Sequence, residues 1–236
     1  TPPPPPPPSP GGGFFFFLTP PGGPGPPKAA LPGLRARGHH PVILPSLAYT
    51  AAPFAVGFPG TISVRPATFS ALLADVAASL ERQGVAALVV VNAHLDPAHL
   101  GAIAEVARPS GAADARAAAI PVIHPDLTRR RWASRLTPEF RSGACHAGCY
   151  ETSVVMAAAP ELVRDEVRLG LADNPASLSV AIRAGAATFE EAGVSEAYCG
   201  DPAAATPEEG ERTVEILARI VVDAVAERLG QPEAAP

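Results

Sequence analysis

The sequence predicts an α/β fold, a three-layer α/β/α sandwich around a mostly parallel sheet. Three observations predict it. The continuous apolar run Ala87-Leu88-Val89-Val90-Val91 reads as a parallel strand covered on both faces. Apolar residues recur at helical spacing after Pro66 and again after Pro207. Between Pro41 and Gly230, strand-like and helix-like segments alternate, the pattern that builds a sheet with helices on its faces.

The first forty residues stand apart. Pro2–Pro8, Gly11–Gly13 and the Pro20–Pro27 stretch remove backbone donors and add conformational entropy, so most of Thr1 to Gly38 is expected to be disordered or polyproline-like. Phe14–Phe17 is the exception and reads as a strand remnant. Residues 1–40 are therefore set apart as a Pro/Gly-rich segment, and 41–236 as the α/β domain. Two readings of the segment stand side by side: a flexible extension, or a change of coding frame that has replaced a structured piece.

From Pro41 each element has a local reason. Val42-Ile43-Leu44 reads as a short buried strand and Thr61-Ile62-Ser63-Val64 as another. Pro66 opens a helix whose Phe69, Leu72, Leu73, Val76 and Leu80 share a face, and Gly84 stops it. The Ala87–Val91 strand comes next, then a short helix from Ala98 to Ala107. Ile120-Pro121-Val122-Ile123 reads as a strand, with Pro121 placing it at an edge or a strand start. Glu151 to Ala158 reads as a helix ended by Pro160. In the last helix Thr206 is the cap, Pro207 suits the first turn, and Glu209 completes a capping box. Its apolar stripe is Val214, Leu217, Ile220, Val221, Val225 and Leu229, and Gly230 ends it.

Bulk properties narrow the function. The 236 residues suffice for a sizeable core. A net charge of −5 and a pI near 5.7 argue against nucleic acid, which calls for a basic patch. The Phe14–Leu18 run is far too short to cross a membrane. Three cysteines (Cys145, Cys149, Cys199) make a disulfide framework an unlikely scaffold and suit a reducing cytoplasm.

Two spots carry chemistry. The Ala87–Val91 strand runs into Asn92-Ala93-His94-Leu95-Asp96, and sites in open α/β sheets gather at the carboxyl ends of strands. His94 and Asp96, two apart in extended backbone, point the same way, and an imidazole beside a carboxylate suits Zn²⁺, Mn²⁺ or Fe²⁺. The same pair also reads as a simple cap on the next helix. At the second spot, Cys145-His146-Ala147-Gly148-Cys149-Tyr150-Glu151, a loop His precedes a carboxylate at a helix start, where the dipole favours negative charge. Here too a plainer reading stands, with a solvated His146 and an ordinary first-turn Glu151.

In this order and spacing the segments resemble the creatininase (creatinine amidohydrolase) family. Phe58-Pro59-Gly60-Thr61 followed by Ser63 is similar to its F-P-G-T-x-S turn. Val91-Asn92-Ala93-His94 is similar to its V-N-G-H strand end, with Ala93 in place of glycine, and His146–Ser153 to its H-[AS]-G-x-x-E-T-S motif. Gly200-Asp201-Pro202 resembles a late family element, and the likeness runs from Pro41 to Leu229. The resemblance implies a metal-dependent amidohydrolase of the cytoplasm acting on a C–N bond of a small cyclic or linear amide. It further implies a homo-oligomer, a hexamer in many members, with neither nucleic acid nor membrane as partner.

The resemblance also assigns roles. His94 and Asp96 are the expected metal ligands, for a divalent ion such as Zn, Mn or Fe. His146 is the expected general base or acid, and Glu151 the active-site carboxylate that orients water or completes the metal shell. One departure is large. The family carries E-x-H-G…D near its N-terminus, and the matching window here, Gly12 to Gly25, holds neither an acid nor a His. No Asp or Glu precedes Asp75, and the first His is His39. The alternative function is thus a non-catalytic subunit that keeps the sandwich and its interfaces.

Overall fold

The structure is a computed structural model describing residues 14–18, 25–108, 120–144 and 146–230. Among the described residues four parallel strands form one sheet: β1 (Phe14–Leu18), β2 (His40–Leu44), β3 (Ala87–Val90) and β4 (Val122–Ile123), in the order β2-β1-β3-β4. Phe14–Leu18 is thus an interior strand, hydrogen-bonded to β2 on one side and β3 on the other. As Pro121 implied, β4 is an edge strand.

The helices in chain order are α1 (Pro26–Arg35), α2 (Pro66–Glu81), α3 (Pro97–Val106), α4 (Arg130–Ala133), α5 (Pro138–Ser142), α6 (Cys149–Ala158), α7 (Asp165–Arg168), α8 (Leu178–Arg183) and α9 (Pro207–Leu229). All four residues of β3 are buried, and they divide between two cores with period two. Ala87 and Val89 join Ala30 and Leu34 of α1 and Ile220, Val221 and Val225 of α9. Leu88 and Val90 face the other way, onto Phe69 and Leu73 of α2 and Ile103 and Val106 of α3. This is the expected three-layer sandwich.

Three expectations need correction. Residues 26–35, assigned to the unstructured segment, form α1. Pro26 and Pro27 occupy its first turn, where a missing N–H costs nothing, and Pro27, Ala30 and Leu34 bury one face. Gly33 lets α1 approach α9: a Cβ there would lie 3.0 Å from a Val222 methyl. Tertiary burial thus outweighs the low helix propensity of Pro32. Thr61–Val64 is not a strand but an irregular run with Ile62 65% exposed, Val64 half-buried against the α2–α3 core, and a hydrogen bond from Val64 N–H to the Thr50 carbonyl, 3.0 Å, folding it back. Leu72 is exposed, because the buried face of α2 runs through Phe69, Leu73, Ala77 and Leu80 instead.

The last helix follows its sequence signals except that the capping box is half formed. Thr206 N–H donates to Ser153 Oγ at 3.0 Å, and Glu209 Oε1 meets Cys149 Sγ at 3.4 Å instead of reaching back. Thr206 Oγ1 accepts from Glu209 N–H at 3.1 Å, and the helix runs to Leu229 before Gly230. No helix among the described residues is long and apolar enough to cross a membrane.

Candidate active site

The carboxyl end of β3 delivers the first half of the site. Asn92 closes the turn with its own side chain: Nδ2 donates to the His94 carbonyl at 2.6 Å, and Oδ1 accepts from His94 N–H at 3.0 Å. Those two bonds fix which way the amide points. Asn92 Oδ1 also lies 2.9 Å from His99 Nε2, so that nitrogen carries the proton. His99 Nδ1 is then the acceptor for the Thr50 hydroxyl. His99 is buried against the Phe69 ring at 4.7 Å, with the His94 ring 5.1 Å away. Burial first, then the neighbouring His94 and His124, lower its pKa to about 3, so it is a neutral structural imidazole.

The 50–64 loop covers this end of the sheet, and the Phe58–Ser63 motif folds it. Thr61 Oγ1 donates to the Ala55 carbonyl at 2.9 Å, Gly60 takes a φ of 90°, and Ser63 Oγ accepts from Ala52 N–H at 2.9 Å. The loop thereby presents the Ala51 carbonyl to His94 Nε2 at 3.0 Å, so Nε2–H is the donor. It also places Phe54, whose N–H donates to Asp96 Oδ2 at 3.0 Å. The other Asp96 oxygen caps α3 by accepting from Ala98 N–H at 2.8 Å. Asp96 is buried, and both its oxygens serve backbone amides.

The second half comes from the junction before α6. His146 is fixed by its carbonyl, which accepts from Cys199 N–H at 2.9 Å, and its ring rests 4.7 Å from Phe189. Ala147 adopts a left-handed φ of 51°, a conformation that costs a non-glycine residue about 1 kcal/mol or more. That turn aims Ala147 N–H at Glu151 Oε2, 2.7 Å away. Glu151 Oε2 and His146 Nδ1 then face each other at 3.9 Å. Burial drives the Glu151 pKa up to about 7 against the opposing effect of the Ala147 N–H, and the charge of Glu139 adds to the rise. Burial, and then His94, lower the pKa of His146. Both shifts favour a neutral pair.

His94, Asp96, His146 and Glu151 all line one cavity of about 260 Å³, walled by Phe54 and Phe189, whose rings meet edge-on at 5.0 Å. Residues more than fifty positions apart in the chain are thus brought together. Glu151 also borders a second, mostly apolar cavity of about 350 Å³ between β3, α6 and α9.

The family model of creatininase, described as creatinine amidohydrolase, matches residues 28–225. The chain belongs to the creatininase family. Members of this family are hydrolases. The mycofactocin precursor peptide peptidase of Mycolicibacterium smegmatis is 31% identical over 173 residues, which are 72% of this chain and 61% of the relative. The chain therefore spans about three fifths of that curated relative's length. Among solved structures, a creatininase described with Mn superposes with a TM-score of 0.57 at 19% identity, covering 93% of this chain and 91% of the other. A mutant creatininase of Zn-Zn type gives 0.53 at 20% identity, covering 92% and 90%. The fold is the creatininase fold, and structures of the family carry Mn or Zn.

The described residues do not by themselves complete a metal centre of that kind. Among the described residues no three His, Cys, Asp or Glu side chains converge in a metal-holding arrangement. Asp96 is committed to two backbone amides, whereas His94, with Nε2–H on the Ala51 carbonyl, keeps Nδ1 as its unprotonated nitrogen. The segment before His39 contains no acid or His to complete the three protein ligands a catalytic zinc normally keeps.

Of Thr50 and His99, which support His94, Thr50 falls in the 50–56 segment that the sequence offers as a candidate site lining, while its role on His99 and His99 itself are not legible there. The signal for His99 is its position three residues after Asp96, on the first turn of α3. The role of Thr50 had none, because its partner lies 49 positions away.

Proposed function

We propose that this creatininase-family chain hydrolyses a C–N amide bond in the cavity where His94, His146 and Glu151 meet. The observation that carries the reading is the 3.9 Å approach of His146 Nδ1 to Glu151 Oε2 at the cavity wall, with both groups held near neutrality. A neutral imidazole can take a proton from attacking water, and a carboxyl with a pKa near 7 can give one to the departing nitrogen. The carbonyl carbon gains the water oxygen, the C–N bond breaks, and the proton on His146 returns to Glu151. The products are a carboxylic acid and an amine.

The substrate class is a small cyclic or linear amide. The peptide named in the Mycolicibacterium relative makes a peptide amide one linear candidate, and the cavity of about 260 Å³ has room for a small group on either side of the reacting bond. His94 and Asp96 are the residues through which a divalent Zn, Mn or Fe ion would have to act. Asp96 would first have to release a backbone amide, whereas His94, donating Nε2–H to the Ala51 carbonyl, would ligate through its unprotonated Nδ1; no step is routed through a metal.

A second reading, a non-catalytic family subunit, is favoured by the commitment of both Asp96 oxygens to backbone amides. One experiment separates the two. The purified chain is analysed for metal and tested on a panel of cyclic and linear amides, before and after addition of Mn²⁺ or Zn²⁺. Hydrolysis that disappears in Glu151→Gln supports the enzyme. A folded protein that hydrolyses nothing in either condition supports the subunit.

A further inference from the structure

Glu139 sits in the first turn of α5, where Thr137 already supplies the cap by accepting from Phe140 N–H at 3.3 Å. Its side chain leaves its own helix. Oε1 accepts from Tyr150 N–H at 2.8 Å, while Oε2 accepts from Cys149 N–H at 3.0 Å and from Asp201 N–H at 2.8 Å. One carboxylate thus joins α5, the first turn of α6, and the loop before Pro202. Helix α6 has Gly148 at its N-cap, with no side chain to satisfy its first amides, so Glu139 acts as a cap delivered from a distance. Its negative charge also suits the N-terminal end of that helix dipole.

Two glycines leave room for this carboxylate. A Cβ on Gly148 would stand 2.6 Å from Glu139 Oε1, and one on Gly200 would stand 2.2 Å from Oε2. Gly200 also has a φ of 91°, which glycine adopts without strain. The joined segments are the ones that carry the proposed chemistry. Cys199 N–H holds the His146 carbonyl, two residues before Asp201, and Glu151 lies directly after Tyr150. Asn174 locks the far side by exchanging backbone hydrogen bonds with Gly200 at 2.7 and 3.0 Å.

We propose that Glu139 is a positioning residue, whose carboxylate clamps the start of α6 to the 199–201 loop and so sets the approach of His146 to Glu151. This rests on the proposed reading of that pair as the reacting groups. Glutamine is the informative replacement, because its single carbonyl oxygen cannot serve all three amides and its NH₂ would face a backbone donor.

The test compares the full chain with Glu139→Gln, with Glu139→Asp as a shorter arm that keeps the charge should the first variant not fold. Glu161→Gln, on an exposed turn, is the control. Amide hydrogen exchange at Cys149, Tyr150 and Asp201 should quicken about tenfold or more, as expected for losing charge-assisted bonds. The imidazole ¹H–¹⁵N signals of His146 should move while those of His39 stay. On an amide the wild type hydrolyses, kcat should fall about ten- to a hundredfold with KM within about twofold, the signature of misplacement rather than lost binding. Unchanged exchange at the three amides overturns the clamp. Faster exchange with unmoved His146 signals and unchanged kcat overturns the positioning role and leaves only a structural cap. If the wild type hydrolyses no amide, the proposed function fails, and the exchange and His146 signals still decide the clamp.

Discussion

His146 Nδ1 and Glu151 Oε2 stand 3.9 Å apart, too far for a hydrogen bond. The separation follows from the left-handed turn at Ala147, which spends one face of the Glu151 carboxylate on a backbone N–H. A proton bound by either group therefore remains available to a substrate lying between them.

The first prediction concerns Glu151. Its raised pKa, about 7, means that the carboxyl keeps its proton through the mildly acidic range and loses it as pH rises through 7. As the proton donor to the leaving nitrogen it should give a rate that falls above about pH 7. Glu151→Gln should lower kcat by about 10²- to 10⁴-fold and abolish that limb. A wild-type profile flat between pH 6 and 8 would remove Glu151 from the proton transfer.

His99 predicts a different pH effect, on stability. With a folded pKa lowered to about 3, it resists protonation that the unfolded chain accepts below its ordinary 6.5. Its contribution is fully present above pH 6.5 and is lost as pH falls toward 3. Between pH 6.5 and 5 that loss is about 2 kcal/mol at ~1.4 kcal/mol per pH unit. Glu151 acts in the opposite sense, its raised pKa favouring the fold at lower pH. Urea midpoints measured at both pH values should thus drop less in His99→Gln than in wild type, and an equal drop in both would refute the assignment.

Asp96 separates cap from ligand. Asp96→Asn puts an NH₂ against one of the two amides from Phe54 and Ala98, and should cost about 1–3 kcal/mol in metal-free buffer. Denaturation with a chelator present reads this directly. Stability equal to wild type under those conditions would mean that the backbone contacts contribute nothing.

Gly210 makes a sharper structural test. In a helix interior Gly→Ala ordinarily stabilises by about 1 kcal/mol. Here a Cβ would fall 1.8 Å from the Ser153 carbonyl oxygen of α6, where α6 packs on α9. Gly210→Ala should therefore destabilise, by about 2 kcal/mol or more, because backbone cannot yield as a flexible side chain does. A raised melting temperature would show that the two helices are not in this contact.

Several parts of this architecture were legible along the chain. The unbroken run Ala87–Val91 could only be covered on both faces, and Thr206 and Pro207 wrote the start of α9 in local terms, while the Glu209 carboxylate turned to Cys149 instead of closing the capping box. The ordered Phe58–Thr61, Val91–His94 and His146–Ser153 motifs pointed to the family that the match over residues 28–225 identifies. Helix α1 was missed because Pro and Gly speak against a helix locally, whereas the burial of Ala30 and Leu34 against α9 supplies what propensity lacks.

Periodicity and composition carry the layer order, the position of the polar strand end at His94, and the lack of acid and imidazole before His39. Those properties need no partner to be read. What those side chains are committed to depends on packing. Asp96 turns to the amides of Phe54 and Ala98, His94 to the Ala51 carbonyl, and Glu139 crosses from α5 to α6 and the 199–201 loop. A carboxylate or an imidazole has several possible partners of similar strength, and which one it meets depends on segments brought near by the packing of the whole sheet.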